Sequence, residues 1–193
     1  WNVPDGWEGD AVLITAYSKY YAWGDITGQT AATSGSAFAT AFDWAHAPFN
    51  NGNSSYNSTY FDSVKGTVCP DNILAKDYDV ANKVLGGDWR MPTNEEFDAF
   101  AQLNKQWKTN YNGITGVDGY LFTNGNGNSI FLPAAGHGNG TGLSNVGVSG
   151  FYWSSSLNTD FPNLACGLYF GDGDAYTSNY DRYTGRSVRA LSE

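Results

Sequence analysis

At 193 residues, with 10 Lys plus Arg against 19 Asp plus Glu and a formal net charge of −9, the chain is long enough for one sizeable core and too acidic to seek nucleic acid or an anionic membrane. Its longest apolar run, Ala11-Val12-Leu13-Ile14, falls far short of the roughly 18 residues of a membrane span, so no membrane insertion is expected. No secretory leader pattern opens the chain, which reads as a soluble fragment already trimmed.

The 7 Trp, 13 Tyr and 11 Phe, set among 24 Gly and only 15% charged residues, exclude a disordered chain and predict short strands, tight turns and exposed loops. Ala11 to Tyr17 reads as a first strand rich in β-branched residues, and Tyr20 to Gly24 as a second. From Thr27 to Thr59 small and polar residues carry isolated rings at Phe38, Phe42, Trp44 and Phe49, which predicts a long insertion pinned to the core by those rings. A helix is expected after Pro70, capped by Asp71, with Ile73, Leu74, Tyr78, Ala81, Val84 and Leu85 as its apolar stripe and Gly86-Gly87 as its stop. A second starts at Thr93, whose hydroxyl and the Glu96 carboxylate form a capping box, with Phe97, Phe100 and Ala101 as the buried face.

Beyond Gln106 the chain reads as strand and turn. Gly119 to Phe122, Ser129 to Pro133, Phe151 to Ser154, Leu168 to Phe170 and Ser187 to Leu191 are the strands; Asn124-Gly125, Asn126-Gly127 and Asp172-Gly173 are hairpin turns. The expected fold is α+β in a single domain spanning residues 1–193, with two helices packed on a small antiparallel sheet and long loops.

Little in the sequence points to catalysis. Cys69 and Cys166 stand 97 positions apart without metal-knuckle spacing; the separation allows a bridge across a long loop and does not call for one. His46 and His137 sit among Ala and Gly and read as turn or surface groups. Asp172 and Asp174 flank Gly173 like a fragment of a calcium loop, but three further oxygen ligands are lacking and a tight hairpin explains the pattern. No cofactor is therefore expected, with calcium the one metal the pattern brings to mind. A carboxylate-pair hydrolase depends on a spatial separation that residue order does not give.

Five segments together carry a resemblance. They are Tyr21-Ala22-Trp23-Gly24, Leu85 through Phe97 (LGGDWRMPTNEEF), Ile130 through Gly136 (IFLPAAG), Tyr152 through Ser156 (YWSSS) and Gly185 through Leu191 (GRSVRAL). In this order the chain resembles the major paralogous (FISUMP) domain of bacterial surface proteins. The resemblance implies a C-type lectin fold, related to the formylglycine-generating enzymes and shared with the variable proteins of diversity-generating retroelements. It further implies pairing of the first and last strands, Ala11 to Tyr17 with Ser187 to Leu191. The oxidase chemistry of those enzymes needs neighbouring reactive cysteines, and here Cys166 stands alone near the last strands. The calcium and sugar motifs of the lectins are missing as well.

In retroelement-targeted relatives the variable positions follow the Trp-Ser-Ser-Ser motif and arise by adenine-directed mutation, which turns an Asn codon into many residues but not into Lys, Glu, Gln, Met or Trp. The stretch from Leu157 to Arg186 contains none of those five types. Its Phe161, Tyr169, Tyr176 and Tyr180 offer contact area at low rotamer cost, and Asn163, Asp174, Ser178, Asn179, Asp181 and Thr184 offer short hydrogen-bonding groups. With Leu164, Cys166, Gly167, Gly171, Thr177 and Arg186 these make up the expected ligand-binding set. Phe170 is expected in the core, Tyr183 beside Arg182 in structural packing, Cys166 as an incidental surface thiol and Cys69 as a buried small hydrophobe.

The expected function is that of a non-enzymatic, adhesin- or receptor-type variable protein at a bacterial cell surface or on a phage particle, with an extracellular protein or glycan as partner. A fixed-partner surface or fimbria-associated domain and an enzyme on the formylglycine-generating fold are the alternatives.

Overall fold

The computed structural model describes residues 19–31, 38–171 and 173–192. The expected strand at Ala11 to Tyr17, and hence its pairing with the last segment, lies outside them.

Three short helices come from local capping. Helix α1, Ser58–Val68, starts where Asn57 accepts the Tyr60 amide at 3.0 Å, and Phe61, Val64 and Val68 place one stripe on the core. The helix expected from Pro70 to Leu85 exists only in its last third. Pro70–Asn72 is a 3-10 turn with Asp71 at φ 54°, and Ile73 and Leu74 are drawn to the sheet, where the Leu74 amide donates to the Ser155 carbonyl at 2.9 Å. Helix α2 is Val80–Leu85, and Asp79 rather than Asp71 caps it, accepting from the Ala81 and Asn82 amides through Oδ1 and from the Met91 amide through Oδ2 at 2.8 Å. It stops at Gly86, with φ 71°, as expected. Helix α3, Asn94–Ala101, carries the capping box of Thr93 and Glu96 and buries Phe97, Phe100 and Ala101, all three of which the sequence marks.

Ten strands make the bulk of the described fold. β1 (Lys19–Tyr20) pairs with β2 (Gln29–Thr30); β3 (Asn104–Lys108), β4 (Gly119–Thr123) and β5 (Ser129–Pro133) form an antiparallel meander. β6 (Ala135–Asn139), β7 (Gly142–Val146), β8 (Gly150–Leu157), β9 (Leu164–Gly171) and β10 (Asp174–Asp181) form a five-stranded sheet in the order β10-β9-β8-β6-β7, which curls into a half-barrel. The expected α+β C-type lectin arrangement of two helices on a small antiparallel sheet is therefore overturned: the described chain is mostly β, in three sheets, with three short helices. The sheet is not purely antiparallel either, since β6 and β8 meet in parallel at Gly136 and Gly150. The reason lies in strands that hide from pattern reading. β3, β7 and β10 carry polar residues on an exposed face, and β6 is mostly small residues, so none shows the apolar alternation that reveals a strand. Ser187 to Leu191 forms no strand of its own; Ser187 bridges Tyr152 and Leu191 bridges Arg90.

The five-stranded sheet separates two cores. On one side Phe97, Phe100, Phe122, Leu168 and Phe170 pack beneath α3; on the other Trp23, Phe61, Trp153 and Ala165 gather with Cys69. Into this second core goes a wholly buried guanidinium. Arg182 lies 4.0 Å from the Phe61 ring centre and 5.5 to 5.8 Å from those of Tyr56, Trp44 and Trp23, while its Nε donates to the Pro162 carbonyl at 2.8 Å.

Arg182→Ala removes the contents of this cage and is expected to cost about 3 kcal/mol, whereas Arg182→Met, which refills it with apolar atoms, costs clearly less; urea unfolding of both variants checks the order. At α3, Arg90 grips Glu96 with two 2.7 Å hydrogen bonds and holds its carboxyl below the usual range. The unfolded chain therefore binds the proton more readily, so this contribution is full above the ordinary carboxylate pKa and is lost as pH falls through the folded one. Glu96→Gln is expected to cost about 1 kcal/mol at neutral pH, the pair being a third exposed, and nothing in strong acid; paired denaturation curves measure the difference.

Candidate functional site

β9 and β10 keep one register over their full length, from Gly171 opposite Asp174 to Leu164 opposite Asp181. Alternation along a strand then sorts the expected ligand-binding set onto two faces. Leu164, Cys166, Thr177, Asn179 and Asp181 share the face that α3 covers at the Leu168 and Phe170 end. Gly167, Tyr169, Gly171, Asp174, Tyr176, Ser178 and Tyr180 share the opposite face. Among the described residues β10 is an edge of the sheet, so its backbone rim faces outward, while α3 covers part of one face and the second core part of the other.

On the Tyr face the rings touch in a chain. Tyr169 and Tyr176 lie 5.0 Å apart, Tyr169 meets Phe151 at 5.2 Å, and Phe151 meets Tyr180 at 6.2 Å. Tyr176 is 47% exposed and Tyr169 half-buried; Tyr180 packs toward Trp153 and the second core. Burial raises the Tyr180 phenol pKa, partly offset by the neighbouring Arg186.

On the helix face the Thr177 hydroxyl donates to the Asp98 carboxylate of α3, and the Cys166 thiol donates to Asn179 Oδ1 at 3.2 Å. Asn163, in the loop before β9, reaches Asp181 at 3.4 Å and closes the strand ends. Phe161 stands out of that loop, 62% exposed.

The exposed and half-buried members are therefore Phe161, Asn163, Leu164, Cys166, Tyr169, Asp174, Tyr176, Thr177, Ser178, Asn179, Tyr180 and Asp181. Four others are not at the surface. An added Cβ at Gly167 would come within 2.5 Å of the Tyr152 carbonyl oxygen, and one at Gly171 within 2.7 Å of the Tyr169 hydroxyl. Thr184 and Arg186 are buried, Arg186 donating through Nε to the Thr184 hydroxyl at 3.0 Å and stacking at 3.4 Å from the Tyr180 ring centre. Burial pulls the Arg186 guanidinium down to about 9, which leaves it charged at neutral pH. Phe170 is fully buried, and Tyr183 packs edge-on to Trp44 at 5.1 Å, both as expected.

The motif residues form the bracket behind the hairpin. The Tyr21 and Arg186 backbones exchange two hydrogen bonds, Trp23 donates through its ring nitrogen to the Ser154 carbonyl, Ser154 donates to the Cys166 carbonyl, and the Ser155 amide donates to the Pro92 carbonyl. Four of the five motifs thus anchor backbone behind the hairpin.

The remaining chemistry is thin. Cys69 is buried in the second core and Cys166 is half-buried; both thiols are free. His137, in β6, lies 4.5 Å from the Phe151 ring, and burial with the nearby Arg186 charge lowers its pKa. Asp172 is outside the described residues, and Asp174 turns Oδ1 to the Ala175 amide at 2.7 Å. Among the described residues no group of three or more His, Cys, Asp or Glu could hold a metal ion, and no helix is long and apolar enough to cross a membrane.

Residues 107–191, a little under half the chain, are similar to a family described as a domain of unknown function (DUF8237). That span runs from β3 through the hairpin to the last bridge. No curated protein and no solved structure matches the chain.

Burial, with Glu95 and Asp98 adding their charge, pushes the Cys166 thiol up to about 11 from 9.0. The thiolate fraction at neutral pH is then about a hundredfold below that of an unperturbed cysteine. Iodoacetamide labelling followed by mass spectrometry is expected to be correspondingly slow, and to quicken in the double variant Glu95→Gln, Asp98→Asn.

Proposed function

We propose that this is a non-enzymatic ligand-binding domain of adhesin or receptor type, in which the β9–β10 hairpin and the loop at Phe161 present outward side chains to an extracellular protein or glycan. Its setting is a bacterial cell surface or a phage particle, and the outward positions are those that differ between versions of the protein.

One observation carries the reading. The stretch from Leu157 to Arg186, which lacks Lys, Glu, Gln, Met and Trp, coincides with the end of β8, the hairpin and its closing turn. Within it, fully buried Ala165, Leu168, Phe170 and Arg182 alternate with outward Tyr, Asn, Ser, Thr and Asp. Tyr and short polar groups on a braced β-hairpin bind with little ordering entropy, because the frame is fixed before the partner arrives. Rings at the surface, Tyr176 and Phe161 foremost, supply the anchors that dominate such contacts.

Randomising Asp174, Tyr176, Ser178 and Asn179 together is expected to leave most variants as protease-resistant as the parent on a display platform. Truncating Leu168 or Phe170 to Ala costs about 3 kcal/mol. Equal intolerance at both sets of positions overturns the reading. At the gene level, a reverse transcriptase beside a near-copy of the segment encoding residues 157–186, differing at template adenines, marks diversification; without such a copy the reading returns to a fixed partner.

A further inference from the structure

Past the Asp181 end of β10 a cavity of about 250 Å³ opens, with Asp25, Gln29, Thr40, Asp43, His46 and Tyr183 among its walls. It is smaller than the roughly 300–1,000 Å³ sites that take drug-sized molecules and suits one small ring. Its lining includes two carboxylates and no Lys or Arg, which rejects anions.

The hydrogen-bonding capacity of these walls is only partly spent. Asp25 uses both oxygens on its own turn: Oδ1 accepts from the Thr27 amide at 2.8 Å and hydroxyl at 2.7 Å, and Oδ2 accepts from the Gly28 amide at 3.1 Å. It shapes the wall and has little left to offer. Asp43 engages His46 through Oδ1 alone, at 3.1 Å to the amide and 2.7 Å to Nδ1, leaving Oδ2 as an acceptor. Gln29 accepts the Thr40 amide through Oε1 at 2.9 Å, which fixes the plane of its carboxamide and leaves the two Nε2 hydrogens to donate. Tyr183 keeps its phenol proton, since burial and the charges of Asp181 and Asp43 raise its pKa. Donors and an acceptor thus sit together beside a half-buried ring. An anion would meet the carboxylates, and a cation would leave the Gln29 donors unused. A neutral pair of adjacent hydroxyls, each giving and accepting one hydrogen bond, satisfies both kinds of group.

We infer that this cavity binds a single neutral hexopyranose unit, Asp43 Oδ2 accepting from one hydroxyl and Gln29 Nε2 donating to its neighbour, with the Tyr183 ring as a wall. The site is separate from the hairpin patch and stands or falls without it.

Saturation-transfer NMR on the whole chain tests it, with methyl β-glucopyranoside, methyl β-galactopyranoside and methyl α-mannopyranoside as probes. Transfer to at least one is expected, with a Kd of about 1 mM, weakened about tenfold or more in Asp43→Ala and in Gln29→Ala. Tyr176→Ala, which alters only the hairpin, leaves it unchanged. His46→Ala removes only the ring bond to Asp43 Oδ1 and keeps the carboxylate with the bond it accepts from the residue-46 amide, so binding within about twofold of the parent separates recognition by the carboxylate from support by the imidazole. Silence of all three sugars overturns the inference, as does transfer indifferent to both Asp43→Ala and Gln29→Ala, or displacement of the sugar by methylammonium at equal concentration.

Discussion

A cation sealed among aromatic rings, with a backbone carbonyl in place of a carboxylate partner, is the junction on which the rest of this structure rests. Moving a guanidinium out of water is costly, and burial accordingly lowers the Arg182 pKa. Four ring faces return part of that cost through their quadrupoles, and the Nε bond to Pro162 adds a charge-assisted contact. The rings come from everywhere: Trp23 from the first described segment, Trp44 and Tyr56 from the loop ahead of α1, Phe61 from α1 itself. One side chain therefore ties three stretches of chain to the end of the β9–β10 hairpin. Arg186 repeats the device four residues on, against Phe151, Trp153 and Tyr180.

This arrangement explains why a hairpin at the rim of a sheet can be both well placed and permissive. Its inner residues are committed on both sides, Leu168 and Phe170 beneath α3 and Ala165 against Trp153. Of its outer residues, Thr177 is held by Asp98 and Tyr169 and Tyr180 lean on Phe151, while Tyr176 meets only Tyr169 among the described rings around it. Rigidity thus comes from the frame, and the exposed side chains are left to their own chemistry. The alternation has a cost for any single partner. Tyr169 and Tyr176 look one way, Asn179 and Asp181 the other, so a flat surface docked on either face reaches about half of the set, and only one that wraps the rim reaches all of it.

What the sequence reveals depends on how local the signal is. The capping box at Thr93 and Glu96 and the stop at Gly86 are complete within a few residues, and both are found where expected. Asp71 and Asp79 are equally good caps by composition; the choice between them was made by Ser155 and Ser156, which draw Ile73 and Leu74 to the sheet from more than eighty positions away. Helix α1 was readable in Asn57, Phe61, Val64 and Val68 but is hidden in a polar stretch that looks like loop. The β architecture was least legible, because β3, β6, β7 and β10 owe their pairing to neighbours distant in sequence and show no alternation of their own. For the site, the outward Tyr and Asn residues could be picked out by type, while the burial of Arg186 and Thr184 and the crowding at Gly167 are facts of packing that residue type does not reveal.

Among the described residues β10 is an edge strand, and it carries an acidic residue at each end, Asp174 and Asp181, with neither Lys nor Pro between them. Such a rim invites a second copy to add itself as the next strand. Lined up antiparallel over its full length, however, each copy would set Asp174 against the other's Asp181, so both extremities of the new ladder would begin with like charges face to face. The two aspartates act as bookends, discouraging the molecule from polymerising along its own open border while leaving the polar middle of that border free for something else.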